Sequence, residues 1–149
     1  MSENYFFQVS LKLLIHNSEG EVLLLKGLAD GPMAGLYDFP GGRIAEGENA
    51  EPFESIMKRE VAEELGADFA WQLRSKNPVT VARHHYTSKK YGHDLTVLWL
   101  LFEADTLSDK ITISPEHSGY KWIDIKSIVL EDYFVNGPLE VMRNYRGIK

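Results

Sequence analysis

The sequence predicts an α/β protein of the α+β kind, a mixed β-sheet with helices on both faces. Short stretches with two-residue alternation or a compact apolar run recur between turn residues, as strands do. Three stretches of helical character are interspersed among them rather than set apart, and such mixing indicates a sheet covered on two faces. At 149 residues and 44% hydrophobic content, the chain fits one domain with a proper core. Residues 1–149 are therefore expected to form a single domain.

From Phe7 to Ile15 the apolar Phe7, Val9, Leu11, Leu13 and Ile15 alternate with Gln8, Ser10 and Lys12, and His16 follows. That pattern predicts a half-buried strand. Asn17–Gly20 is a turn, and Glu21–Leu25 returns as the second strand of a hairpin. Leu28–Gly35 is a loop of small residues, followed by a short strand at Leu36–Phe39 that ends in the turn Pro40-Gly41-Gly42. A helix is expected from Pro52, a favoured first position, to Leu65, with Gly66 as its stop. Pro78–Tyr86 and Asp94–Glu103 read as strands joined by the polar Thr87–His93. The second is apolar enough to be buried on both sides, with Trp99 and Phe102 as core residues. Tyr120–Ile123 reads as a strand, Asp124–Glu131 as a short helix and Pro138–Tyr145 as a terminal helix. No internal repeat, low-complexity tract or long linker interrupts this order.

Net charge is −6 and the pI near 5.3. Nucleic-acid-binding surfaces are normally basic, so a nucleic-acid partner is not expected. The absence of cysteine excludes a disulfide framework, a thiolate nucleophile and a zinc–thiolate site. No apolar run is long enough to span a membrane, and Met1-Ser2-Glu3-Asn4-Tyr5 is not a signal peptide; the expectation is a cytoplasmic protein with no membrane partner. Pairing of two copies through a sheet edge, giving a homodimer, stays open.

The chemistry concentrates at residues 41–67. Glu60, Glu63 and Glu64 stand at i, i+3 and i+4, which places them on one helix face. Like charges at that spacing cost helix stability, and their place in the C-terminal half opposes the macrodipole. A solvated acidic face is the plain alternative. Phe53, Ile56 and Met57 share the same angular sector one to two turns earlier, so the face begins toward the core and turns acidic, at the rim of a cleft. A divalent cation would offset the repulsion. Hard oxygen donors without cysteine or histidine suit Mg²⁺, or Mn²⁺, rather than Zn²⁺. An acidic protein handling an anionic substrate also needs a cation between the two. The glycines at 41 and 42 let backbone approach such an ion closely.

These residues resemble the Nudix box, G-x5-E-x7-R-E-U-x-E-E-x-G-U with U aliphatic. Gly42 to Glu48 fits the first part and Arg59-Glu60-Val61-Ala62-Glu63-Glu64-Leu65-Gly66-Ala67 the second. The chain departs from the pattern in having ten residues between Glu48 and Arg59 where the family has seven. The extra residues fall in Asn49-Ala50-Glu51, ahead of the helix, and leave the register from Arg59 to Glu64 intact. Leu36–Gly42 is similar to the strand and turn that enter the box in many members, and Pro115-Glu116 with Tyr120–Ile123 resembles a late acidic loop and strand.

The resemblance implies an α/β/α sandwich and Mg²⁺-dependent hydrolysis of a nucleoside diphosphate linked to another moiety, a small-molecule nucleotide. It implies that Glu63 and Glu64 are principal metal ligands, that Glu60 is a ligand or the base that activates water, and that the Gly41 carbonyl completes the metal shell. It assigns Arg59 the orienting of the carboxylates, through pairing with Glu48, and Glu116 a further ligand or base role from its loop. Arg43 and Lys26 are either phosphate contacts or plain solvated charge. Tyr37 and Tyr86 either stack on a base or pack. Asn136 either caps the last helix or, as an asparagine does near this point in MutT-like members, reads a purine edge. His84, His85, His93 and His117 read as strand or loop residues.

The compact length favours a MutT-type nucleoside triphosphate pyrophosphohydrolase. ADP-ribose or nucleotide-sugar hydrolysis and dinucleoside polyphosphate hydrolysis are the alternatives. A non-catalytic nucleotide-binding regulatory domain is a different class, but such modules usually lose box glutamates that this chain keeps. An isoprenoid diphosphate isomerase would want a cysteine.

Overall fold

The computed structural model describes residues 2–148; Met1, which opens the N-terminal stretch read above, and Lys149 lie outside the described residues. The elements in chain order are β1 (Gln8–His16), β2 (Val22–Lys26), β3 (Tyr37–Asp38), β4 (Gly41–Arg43), α1 (Phe53–Leu65), β5 (Trp71–Leu73), β6 (Thr80–Ser88), β7 (His93–Thr106), β8 (Gly119–Ile123), α2 (Leu130–Tyr133) and α3 (Asn136–Ile148). The strands form one sheet in the order β3-β2-β1-β7-β5, with β4 on β1, β6 on β7 and β8 on β2. β1 and β7 run parallel, from Gln8 opposite Val97 to His16 opposite Asp105. The other pairings are antiparallel, so the sheet is mixed.

Two apolar cores lie on its two faces. Leu11, Leu13 and Ile15 of β1 and Leu23 and Leu25 of β2 join Ile56, Met57, Val61 and Leu65 of α1. Leu14, Val22 and Leu24, the alternate residues of the same strands, join Phe134 and the α3 residues Val141, Met142 and Tyr145. Period-two alternation therefore sorts apolar side chains between two cores rather than between core and solvent.

This corrects the reading of β1 as half-buried. Ser10, Lys12 and His16 occupy the second face but are 2%, 7% and 9% exposed, on the side where Leu14 packs with Phe134 and the α3 residues Val141, Met142 and Tyr145. β7 is buried at Val97, Trp99, Leu101 and Phe102, as its composition predicts. The expected helix at Asp124–Glu131 is a turn instead. Asp124 Oδ1 takes the Lys126 N–H at 3.1 Å and its carbonyl takes the Ser127 N–H at 3.1 Å, an Asx-type turn that competes with helix; α2 begins only at Leu130. The last helix starts at Asn136, two residues before Pro138.

β4 and β5 are additional to the strands read from the sequence. β4 is made of residues with low strand preference. It is held by register, Gly41 opposite Lys12 and Arg43 opposite Ser10.

Candidate active site

Ile56, Glu60 and Glu64 follow one another at four-residue steps along α1, so the line that enters the core at Ile56 carries two carboxylates onward. Glu64 is 6% exposed and its Oε1 accepts the Gly41 N–H at 2.8 Å. Glu60 lies against the Gly42 backbone: a Cβ on Gly42 would stand 2.4 Å from the Glu60 carboxyl carbon. Gly41 has φ +121°, and a Cβ there would stand 2.0 Å from the Leu11 carbonyl oxygen. Gly41 is thus required where the turn meets β1, and the bare Cα of Gly42 leaves room for the Glu60 carboxylate.

The guanidinium of Arg59 grips Glu48 at two points, Nε to Oε2 at 2.6 Å and Nη2 to Oε1 at 2.8 Å. The same group reaches Glu60 Oε1 at 3.0 Å and Glu63 Oε1 at 3.2 Å. This fork geometry fixes a planar cation among three carboxylates. The Ala45 N–H, donated to Glu48 Oε1 at 2.8 Å, ties Glu48 to the loop after β4. That loop absorbs the extra residues in successive turns, Glu48 N–H to Ala45 and Glu51 N–H to Glu48, so Glu48 still meets Arg59. Glu63 differs from its neighbours: its side chain is 60% exposed and turned toward Arg59.

The electrostatics separate these carboxyls. Burial pushes Glu64 up to about 8, against the pull of Lys12 and the Gly41 N–H. Burial also raises Glu60, partly offset by Arg59. The hydrogen bonds from Arg59 hold Glu48 below the usual carboxylate range, and the same bonds raise Arg59. Two carboxyls that resist ionisation, one turn apart, are a pair that a divalent cation would return to the charged form. The donor set of hard oxygens fits such an ion, and Mg²⁺ asks for only one or two protein carboxylates. Among the described residues no three acidic or histidine groups stand ready as a cage, since Glu63 faces Arg59 and Glu64 is bonded to Gly41.

The family model for the NUDIX domain matches residues 7–145. The chain belongs to the Nudix family. No curated protein sequence matches it. Among solved structures, a MutT protein from Methanosarcina mazei Go1 is 23% identical, with 99% of each chain covered and a TM-score of 0.65. A MutT NUDIX hydrolase from Burkholderia pseudomallei is 24% identical over 84% of this chain and 88% of its own, at a TM-score of 0.60. The NUDIX domain of Shewanella oneidensis NrtR, complexed with ADP ribose, is 17% identical over 97% and 90%, at 0.65. At these identities the likeness speaks for the Nudix fold alone.

The remaining candidates stand around the Nudix box at different removes. Arg43, next to Gly42, is pinned: Nη1 donates to Gln8 Oε1 at 2.9 Å and to the Tyr86 hydroxyl, and the guanidinium lies 4.4 Å from the centre of the Tyr86 ring. Glu116 is exposed in the loop before β8. That loop is tied to the end of α1, with the Ser114 N–H on the Glu64 carbonyl at 3.0 Å and the Thr112 N–H on Leu65 at 2.9 Å. Lys26 is exposed at the end of β2. Asn136 has φ +58°, and its carboxamide accepts the His85 N–H at 3.1 Å and donates to the His85 carbonyl at 2.6 Å. It joins α3 to β6 rather than capping its own helix. Among the described contacts none links Lys26, Asn136 or the Glu116 side chain to the α1 glutamates.

Sequence reasoning missed Lys12. Its ammonium lies 3.2 Å from Asp38 Oδ2, 3.3 Å from the Phe39 carbonyl and 4.8 Å from the centre of the Trp99 ring. His84 stacks on the same Trp99 side chain, 5.3 Å away at 20°, and its Nδ1 accepts the Gly137 N–H at 3.1 Å. Alternation along β1 places Lys12 on the face opposite Leu11 and Leu13, which the sequence reads as solvent-facing. The signal available was Leu14, which puts an apolar residue on that same face.

Proposed function

We propose that this Nudix protein hydrolyses a diphosphate bond in a nucleoside diphosphate linked to another moiety, with Mg²⁺ held by α1, and that a nucleoside triphosphate cleaved as by MutT-type enzymes is the first substrate to test. The observation that carries the reading is Glu64, buried beside Glu60 at the Gly41–Gly42 turn, where only a cation makes two ionised carboxylates economical.

Glu60 and Glu64 are the principal cation donors. Glu63 supplies a third oxygen from the solvent side, and the Gly41 carbonyl a backbone one. When bound, the cation neutralises phosphate oxygens and lowers the pKa of water. The residues do the rest. Arg59, anchored on Glu48, keeps Glu60 from rotating away, its carboxylate 3.0 Å from Nη2. A water attacks phosphorus, the bridging anhydride oxygen departs with its phosphate, and the water's proton passes to Glu60 or to Glu116. Arg43 and Lys26 meet the phosphates, and Asn136 the base edge. Residues 1–149 act as one domain.

Phosphate release over a panel of nucleoside triphosphates, dinucleoside polyphosphates, nucleotide sugars and ADP-ribose, with and without Mg²⁺, tests this. The expected result is Mg²⁺-dependent turnover that Glu64→Gln and Glu63→Gln abolish. Full activity in both variants refutes the donor assignment. Tight nucleotide binding without turnover of any compound would make the chain a regulatory module.

A further inference from the structure

We propose that α3 acts as a surrogate strand that closes the free edge of β6, and that the edge it masks is one on which a second copy of this chain would pair, β6 against β6. Among the described residues β6 has β7 as its strand partner, so one of its long sides is open to pairing. It runs for nine residues, and an open edge of that length presents a row of N–H and C=O groups to any other strand.

In an antiparallel pair, every second residue turns both its backbone groups away from the partner. Along β6 these outward groups meet polar side chains of α3. Asn144 Nδ2 donates to the Val81 carbonyl at 2.8 Å. Glu140 Oε2 accepts the Arg83 N–H at 3.4 Å, the longest of these contacts. Asn136 takes the His85 N–H and returns a hydrogen bond to the His85 carbonyl. The three side chains stand four residues apart on the helix, and their backbone partners two apart on the strand. Four helical residues rise about 6 Å and two strand residues about 6.8 Å. One line of side chains on α3 therefore keeps step with the edge, running antiparallel to it. The helix also comes close enough to do so: a Cβ on Gly137 would stand 2.6 Å from the His84 Cβ, and the Gly137 N–H reaches His84 Nδ1 at 3.1 Å.

Apolar packing accounts for the docking of α3 but not for this ladder. Val141, Met142 and Tyr145 enter the core from another line of the helix, and water would satisfy the outward groups of an exposed edge. What fixed side chains add is the exclusion of a competing strand, which is how open edges are kept from pairing. The masked edge suits its own copy. Val81, Arg83, His85 and Thr87 share the exposed face of β6. A two-fold axis at His84 would set Val81 beside Thr87 and Arg83 beside His85 in each half, without placing Arg83 against itself, and that closed symmetry is the isologous one of a dimer.

Two measurements on the full chain test this. The Arg83 and His85 amides, which face away from β7, should exchange hydrogen slowly in the wild type. Glu140→Ala should speed the Arg83 amide at least about tenfold while β7 amides keep their protection, and Glu140→Gln, which keeps an acceptor in place, should leave it slow. In sedimentation, Glu140→Ala/Asn144→Ala should lower the dissociation constant for self-association at least about tenfold. Adding Arg83→Pro, which removes an outward N–H without touching a β7 bond, should return it to the wild-type value. Arg143→Ala, on the same helix but facing Glu131, should change neither readout. Protected β7 amides identify the folded variants, and if the double variant loses them Asn144→Ala alone is sedimented in its place. Wild-type Arg83 and His85 amides that exchange like free peptide, an opened edge with no gain in self-association, or a gain that Arg83→Pro leaves in place would each overturn the proposal.

Discussion

Glu64 and Glu103 are equally buried, each 6% exposed, and keep opposite company. Glu103 on β7 is ringed by donors: His16 Nε2 at 2.9 Å, the Tyr145 hydroxyl at 2.9 Å and Arg74 Nη1 at 3.1 Å, all on Oε2. Arg74 then reaches Asp105 at 2.7 Å, closing the cluster. Glu64 has one peptide N–H, a lysine already committed to Asp38, and Glu60 along its own helix. Buried polar groups are ordinarily satisfied from within the fold. The Glu103 cluster obeys that rule and joins α3 to the sheet. The Glu64 site departs from it, and the missing positive charge is what a divalent ion would bring. Equal burial with unequal pairing separates a carboxylate satisfied within the fold from one that a bound cation would satisfy.

Exchanging each of the two carboxylates for a neutral group should have opposite effects. Glu64→Gln should lower Mg²⁺-dependent turnover at least about a thousandfold, roughly 4 kcal/mol in the barrier, with the urea midpoint unchanged or raised because a costly buried acid is gone. Glu103→Ala should do the reverse. It strands His16, Tyr145 and Arg74 and should cost about 3 kcal/mol of stability by urea unfolding. Turnover of whatever stays folded should hold near wild type. A stability loss at Glu64 as large as that at Glu103 would erase the distinction.

The two sites were unequally legible. The Glu64 site is built from a turn and the next helix, so its residues fall at fixed short spacings and the Nudix box could be matched on them. Glu103 takes its partners from residue 16 on β1, residue 74 just after β5 and residue 145 on α3, brought together only by the fold, with no local signature. Lys12 was misread for a related reason. Strand alternation reports which face a residue is on; it does not say whether a second layer covers that face. The sheet and α1 could be read because apolar period and helix stops are local. β4 was not, because its glycines carry no strand preference and only pairing with Ser10–Lys12 makes them a strand. Asn136, which the sequence reads as a helix cap or a base-edge contact, pairs with the backbone of His85, again a long-range partner.

A smaller effect sharpens the same contrast. Mg²⁺ at ten times its dissociation constant should stabilise the wild-type chain by about 1.4 kcal/mol, by mass action on the folded state, read as a shift in thermal midpoint. The shift should vanish in Glu64→Gln and persist in His16→Gln, whose cluster needs no ion. An equal shift in Glu64→Gln would move the cation off α1.

The smallest effect is in the pH dependence of the closed cluster. Burial, assisted by the Arg74 charge, lowers the pKa of His16, outweighing the opposing pull of Glu103. The unfolded chain therefore takes up a proton near the ordinary histidine value of about 6.5 while the folded one resists. The stability His16 contributes is complete above that value and is lost as pH falls below it, toward its lowered folded pKa. The slope is at most about 1.4 kcal/mol per pH unit for one proton. His84 and His117 are lowered by burial as well, so His16→Gln should flatten part of the acid limb of a urea-midpoint profile and leave the rest. Were the profile of His16→Gln to fall just as steeply below pH 6.5, the imidazole would already be charged against Glu103, and His16 would be an ion-pair partner rather than a neutral donor.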